Sequence, residues 1–79
     1  MRKEHIVDGV LAAAREQVMA EVQATLQEEL TRQFEWLKDD RHDERLRGEI
    51  SATRRIAETL GLDGEGMREQ AKRDSGFAR

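Results

Sequence analysis

The chain has no cysteine, no proline and no tyrosine, and its only aromatic residues are Phe34, Trp36 and Phe77. Each absence removes a class of structure. Without cysteine there is no disulfide framework, and with only two histidines, His5 and His42, there is no zinc-finger ligand set. Without proline nothing forces a helix to break. No apolar run approaches the length of a membrane span. Arg2 and Lys3 are followed by Glu4 and Asp8 rather than by a continuous apolar segment, so no signal peptide is expected. These features together predict a soluble, cytoplasmic protein with no membrane partner.

What is present favours helix. Ala, Glu, Gln, Arg and Leu dominate, and all are strong helix formers. A chain of 79 residues makes one small domain with a thin core. With disulfides and metals excluded, a partner subunit is the remaining common source of added stability. Charged residues are 39% of the chain and the net charge is -3. Residues 1–40 carry 5 Lys/Arg and 9 Asp/Glu, a net of -4, whereas residues 41–79 carry 9 and 8, a net of +1. An acidic first half and a mildly basic second half predict different partners for the two halves.

From Lys3 to Lys38 only Gly9 punctuates the chain. Apolar or small residues recur at Val7, Leu11, Ala14, Val18, Val22, Leu26, Leu30, Phe34 and Leu37. Eight steps over 30 residues give a mean spacing of 3.75, which predicts one amphipathic helix over residues 1–38. The helix would be roughly 50 Å long. A spacing above 3.6 lets the stripe drift around the helix and argues against a leucine zipper. A helix this long has more stripe than the remaining forty residues can cover. A homo-oligomer, a dimer or larger, is therefore expected, with Val18, Val22, Leu26, Leu30, Phe34, Trp36 and Leu37 as candidate interface residues. The alternative is a monomeric hairpin in which residues 41–60 fold back along residues 20–37. Trp36 falls on the edge of the stripe near Val18, as a core or interface anchor.

The run Asp39-Asp40-Arg41-His42-Asp43-Glu44 interrupts the apolar pattern and marks the boundary between the two halves, 1–38 and 39–79. Asp39, His42 and Asp43 share a helical face, but capping by Asp39 or Asp40 explains the acids better than a metal does. No serine sits in a nucleophile motif and no catalytic constellation is legible. The chain is expected to be non-enzymatic, without cofactor or metal.

The second half is expected to hold two or three short helices. A helix from Asp40 to Arg47 would break at Gly48, and Ser51 would cap the next. That helix carries Arg54, Arg55, Ile56, Ala57 and Leu60. Gly61 takes the left-handed position after it, Leu62 packs back, and Asp63 caps a last helix with Met67, Ala71 and Lys72. Two helices crossing steeply need a small residue at the contact, and Ala57 supplies it. The tail from Asp74 has no periodicity and is expected to fray, unless Phe77 docks.

Residues 51–73, through Ile56, Ala57, Leu60, Gly61, Leu62, Asp63, Met67, Arg68, Lys72 and Arg73, resemble the helix-turn-helix of bacterial sigma-factor-like and response-regulator-like DNA-binding domains. The resemblance covers roughly 23 residues. It implies that Arg68, Glu69 and Lys72 face a groove while Arg54 and Arg55 meet phosphate, with Arg73 a further candidate DNA contact. Glu65 and Glu69 bring carboxylates to the same surface.

The chain is thus read as all-α, a long helix followed by short helices in an oligomeric bundle. Two functions follow. One is a small DNA-binding regulator or DNA-recognition subunit of phage or bacterial type, acting in transcription regulation or a related process. The other is a helical adaptor, inhibitor or assembly factor that binds a protein partner without touching DNA.

Overall fold

Three α-helices and no strands make up the computed structural model, which describes the backbone of residues 3–77 and the side chains of residues 9–77. Helix α1 spans Lys3–Asp39, α2 spans Glu44–Thr59 and α3 spans Gly64–Ser75. The length and type of α1 follow the sequence pattern closely. Val7 belongs to the stripe by spacing but lies outside the residues whose side chains are described.

The run after α1 ends it with local hydrogen bonds. The His42 backbone N–H donates to Asp40 Oδ1 at 3.2 Å, and the Asp43 N–H donates to the Asp40 carbonyl at 3.2 Å. This turn reverses the chain in four residues. The cap of α2 is Asp43, not Asp39 or Asp40: its Oδ1 accepts from the Leu46 N–H at 3.0 Å. The expected break at Gly48 is absent. Gly48 lies inside a continuous α2 and Ser51 does not cap a helix. One glycine costs a helix only about 1 kcal/mol, less than the burial of Leu46 and Ile50 on either side of it contributes.

The turn between α2 and α3 is built as the sequence predicts. Gly61 has φ +84°. The Leu62 N–H donates to the Ala57 carbonyl at 2.9 Å and the Gly61 N–H to the Glu58 carbonyl at 3.0 Å. This paired pattern closes a helix end on a left-handed glycine. Asp63 then caps α3, its Oδ1 accepting from the Gly66 N–H at 3.0 Å.

Helices α2 and α3 fold back on the C-terminal half of α1, as the hairpin alternative expects of residues 41–60. Leu30, Phe34 and Leu37 from α1 meet Leu46, Ile50 and Ala57 from α2 and Met67 and Ala71 from α3. Ala57 and Ala71 are fully covered, so small residues sit where the helices approach most closely. Gln33 is buried among these groups. It accepts a hydrogen bond from Thr53 Oγ1 at 3.2 Å, and no buried side-chain nitrogen or oxygen among the described residues lacks a partner. On the other flank Gln27 Nε2 donates to the Met67 carbonyl at 2.8 Å. Gln33 therefore marks the side of α1 that faces α2, and Gln27 the side that faces α3.

The tail is docked, not frayed, as far as it is described. Gly76 ends α3 at φ +79°. The Phe77 ring lies 5.2 Å from that of Phe34, and the Arg41 guanidinium sits 4.4 Å above it. Lys38 Nζ donates to the Ser75 carbonyl at 2.6 Å. Ala78 and Arg79 lie outside the described residues.

The result is a three-helix head carrying a helical arm. The molecule measures 59 × 19 × 15 Å, with a radius of gyration of 16.6 Å, against about 12 Å for a compact chain of this length. No helix of the described residues is long and apolar enough to cross a membrane.

Candidate interaction surface

Helices α2 and α3 present the side chains that the resemblance to helix-turn-helix domains singles out. Most are tied to carboxylates. Arg54 reaches Glu58 at 3.1 Å and Glu65 at 3.6 Å. Arg68 reaches Glu65 at 2.7 Å and Glu69 at 3.6 Å, and Lys72 reaches Glu69 at 3.5 Å. Three cations and three carboxylates thus form one lattice of ion pairs. Arg73 donates to Gln70 Oε1 at 3.0 Å. Arg55 is exposed and forms no ion pair with a described residue. The support for this pair of helices comes from α1, not from a separate helix over residues 40–47.

The local charge balance decides what this face can do. Phosphate contacts need cations whose charge is free to replace condensed counterions. A lattice of equal charges is close to neutral, and separating it to reach phosphate forfeits the internal pairs. Of the candidate DNA contacts, Arg55 and Arg73 remain uncommitted to carboxylates, and Glu69 belongs to the lattice.

A second surface runs along α1. Of the candidate interface residues, Leu30, Phe34 and Leu37 are in the core of their own chain and are covered by α2 and α3. Leu26 is half-buried against that core and Val22 is half-buried. Val18 and Trp36 remain open, at 55% and 52% exposure. They are 18 residues apart, five full turns, and so lie on one line along the helix. Leu11 is seven residues before Val18, on the same line, and is 49% exposed.

This line borders α2. Trp36 lines a shallow depression of about 340 Å³ together with Leu46 and Glu49. On α2, Ile56 follows Glu49 by seven residues and Leu60 follows by four more, which places them on the same outer flank. Both are exposed. Because α2 returns antiparallel to α1, Glu49 lies beside Trp36, and Glu29, paired with Arg32 at 3.0 Å, sits on the α1 line between Val18 and Trp36. Six large apolar residues are exposed among the described residues: Val10, Leu11, Val18 and Trp36 on α1, and Ile56 and Leu60 at the end of α2. Scattered exposed apolar residues need no explanation, whereas a contiguous set marks an interaction surface.

Spacing places Val18 and Trp36 on one line of the helix, and both are exposed. It did not identify Ile56 and Leu60 as surface residues, because both also fit the apolar positions of a helix-turn-helix. The i, i+7 relation to Glu49 distinguishes the two, once α2 is known to begin at Glu44. The described residues contain no group of three His, Cys, Asp or Glu side chains placed to hold a metal ion. No family model, no curated protein and no solved structure matches the chain.

Proposed function

We propose that the chain is a small protein-interaction module, without enzymatic activity, whose head anchors a helical arm for docking on another helical surface. One observation carries the reading: Leu11, Val18 and Trp36, on one line of α1, stay about half exposed, although no buried side-chain nitrogen or oxygen among the described residues lacks a partner. An isolated helical arm in water is marginal by itself, since helices draw most of their stability from packing of the apolar face. Docking of that face would stabilise the arm and remove the exposed row from solvent.

The test is capture of partner protein by the tagged full chain after nuclease treatment. Val18→Asp is expected to reduce capture at least tenfold while leaving the thermal midpoint of the head within about 2 °C, because a surface change away from the core stays near 0.5 kcal/mol. Equal capture by Val18→Asp and the parent chain would remove this reading. Leu30→Asp is unsuitable here because Leu30 is wholly buried in the head.

DNA contact is a second reading, supported by the left-handed Gly61 turn and by the uncommitted charge of Arg55. It requires α3 to dock in a groove while Arg54 and Arg55 meet the backbone. Binding at low salt should fall steeply as salt rises, and Arg55→Ala should weaken it across all sequences. Absence of any gel shift at 50 mM salt or below rules it out, 50 mM being about the lower end of the range where such dependence is read.

A further inference from the structure

We propose that the cleft between α2 and α3 binds a single phosphate monoester group, through Arg47 and Ser51 on one wall and Arg68 and Lys72 on the other. The site is separate from the open face of α1 and does not depend on the interaction-module reading. Three properties of the cleft point to it.

First, the two walls are matched pairs of donors. The helices meet closely at Gly64, where a Cβ would lie 2.7 Å from the Arg54 carbonyl oxygen. Away from that contact a depression opens between the first half of α2 and the second and third turns of α3, with the buried Phe34 at its base and Phe77 on its border. Ser51 follows Arg47 by four residues, and Lys72 follows Arg68 by four. Residues four apart share a helical face, so each helix turns one pair towards the other. None of the residues that line the depression carries a carboxylate. Three cations and a hydroxyl therefore share one small volume. Its apolar base lowers the local dielectric and strengthens their pull on an anion.

Second, these donors are uncommitted. Arg47 Nε donates to the Arg41 carbonyl at 2.8 Å, which holds the guanidinium in place. Arg47 forms no ion pair with a described residue. Arg68 engages Glu65 and Glu69 through Nη1 alone, and Lys72 reaches Glu69 only at 3.5 Å. An arginine has five N–H donors and a lysine three. A group entering the cleft can therefore be bound without separating the ion-pair lattice. Ser51 gives a separate indication. A hydroxyl inside a helix commonly turns back to the carbonyl one turn earlier. Thr25, Thr31, Thr53 and Thr59 all do so, at 2.9 or 3.0 Å. The half-buried Ser51 makes no such bond, nor one to any other described residue, and its hydroxyl is left to the cleft.

Third, size and charge select the group. The depression holds about 120 Å³. That is the share of about four waters, well below the roughly 300 Å³ at which pockets for whole organic ligands begin. It admits one tetrahedral oxyanion, with any substituent left at the mouth. A phosphate monoester brings three acceptor oxygens and a charge of about −1.5 to −2. Arg47 and the partly neutralised Arg68 and Lys72 offset a charge of that size, and the guanidinium fork matches its geometry. A carboxylate brings two oxygens and one charge, too few for the four side chains. A phosphodiester carries one charge and a chain on both sides, and it fits so small a volume poorly.

The test is a titration of the full chain with inorganic phosphate at constant ionic strength, followed by amide NMR shifts. Phenyl phosphate and a short DNA duplex form parallel arms. Inorganic phosphate should saturate with a Kd of about 1 mM or below, and the shifts should centre on Ser51, Arg68 and Lys72. Arg47→Ala should weaken binding roughly tenfold, the loss of one charge-assisted hydrogen bond. Ser51→Ala should weaken it about threefold without lowering the thermal midpoint, because Ser51 makes no internal hydrogen bond and alanine is the better helix former. That variant separates binding from folding. Arg15→Ala removes the same charge from the exposed arm and should leave the affinity unchanged. Tighter binding of phenyl phosphate than of inorganic phosphate assigns the site to the end of an ester, and the reverse assigns it to the free ion. Titrations with both that fail to saturate overturn the proposal. So does equal weakening by Arg15→Ala, or a response at Ser51 and Lys72 to the duplex alone. Capture of protein by the parent chain and its loss in Val18→Asp are read separately, so the two readings fail independently.

Discussion

Phe34→Ala is expected to lower the unfolding free energy of the head by about 3–5 kcal/mol, the usual cost of deleting a buried aromatic ring. Phe34 is 2% exposed and stands where all three helices and the tail converge. Its ring supports Phe77 at 5.2 Å, and Phe77 in turn carries the Arg41 guanidinium at 4.4 Å. Removing Phe34 opens a cavity and also releases this stack. The Arg41 hydrogen bond to the Phe77 carbonyl, 3.1 Å long, depends on the docked tail and would be lost with it. A chain of 79 residues has in total only about 4–12 kcal/mol of stability, so the variant loses a large fraction of it. In a thermal melt followed by circular dichroism, the midpoint should fall by about 15–30 °C. A fall of less than 5 °C would mean that the tail and the three helices do not share one core. Trp36→Ala is the natural comparison. Trp36, two residues further along α1, is half exposed, and its truncation should move the midpoint far less.

The contrast between Phe34 and Trp36 shows what the sequence makes legible and what it does not. Both are aromatic, two residues apart, in one helix. The period of the stripe correctly places Phe34 on a face and Trp36 at its edge. Periodicity gives a face and not the identity of what covers it. Leu30, Phe34 and Leu37 read equally well as an interface with another chain or with residues 41–75, and only the fold decides that α2 and α3 cover them. The drift of the stripe carried the remaining information. Its mean spacing of 3.75 rotates the apolar face along α1, so the half that meets the head and the half that stays open point in different directions.

The turn between α2 and α3 was legible because its chemistry is local. Gly61 follows the last helical residues, Leu62 returns to the core and Asp63 supplies a side-chain acceptor, all within three positions. The start of α2 at Glu44 differs from the sequence expectation for the opposite reason. Asp39, Asp40 and Asp43 are all competent caps. The choice of Asp43 depends on where Leu46 and Ile50 must lie to reach Leu37, which is a tertiary constraint. The ion-pair lattice of Arg54, Arg68 and Lys72 was only half visible. Pairs at i, i+3 and i, i+4 can be read from sequence, but the Arg54–Glu65 contact at 3.6 Å crosses between helices. That crossing pair joins two local sets of charges into one lattice of three cations and three carboxylates.

Two glycines separate the contributions of helix propensity and helix packing. Gly48→Ala should stabilise the chain by about 0.5–1 kcal/mol, since alanine is the better helix former and a Cβ at Gly48 meets nothing within 4 Å. Gly64→Ala should do the reverse. A Cβ there would lie 2.7 Å from the Arg54 carbonyl oxygen, 2.7 Å from Glu58 Cγ and 3.0 Å from Arg54 Cγ. The Glu58 stem can rotate away, but the Arg54 carbonyl is part of the α2 backbone and cannot. The start of α3 must therefore withdraw from α2 while the Gly61-Leu62 turn holds its other end. Met67, 4% exposed in the core, is displaced with it. Overpacking of this kind costs about 1–3 kcal/mol, more than the first turn of a helix gains from alanine. The two single-methyl variants should differ by about 2–3 kcal/mol, or roughly 10–20 °C in midpoint. Equal midpoints would show that α2 and α3 are not in close contact at Gly64. The pair also bears on function. Gly64→Ala alters the angle at which α3 is presented but leaves Leu11, Val18 and Trp36 untouched. Under the interaction-module reading it should still capture partner below its midpoint, whereas an activity that depends on α3 entering a DNA groove should be lost.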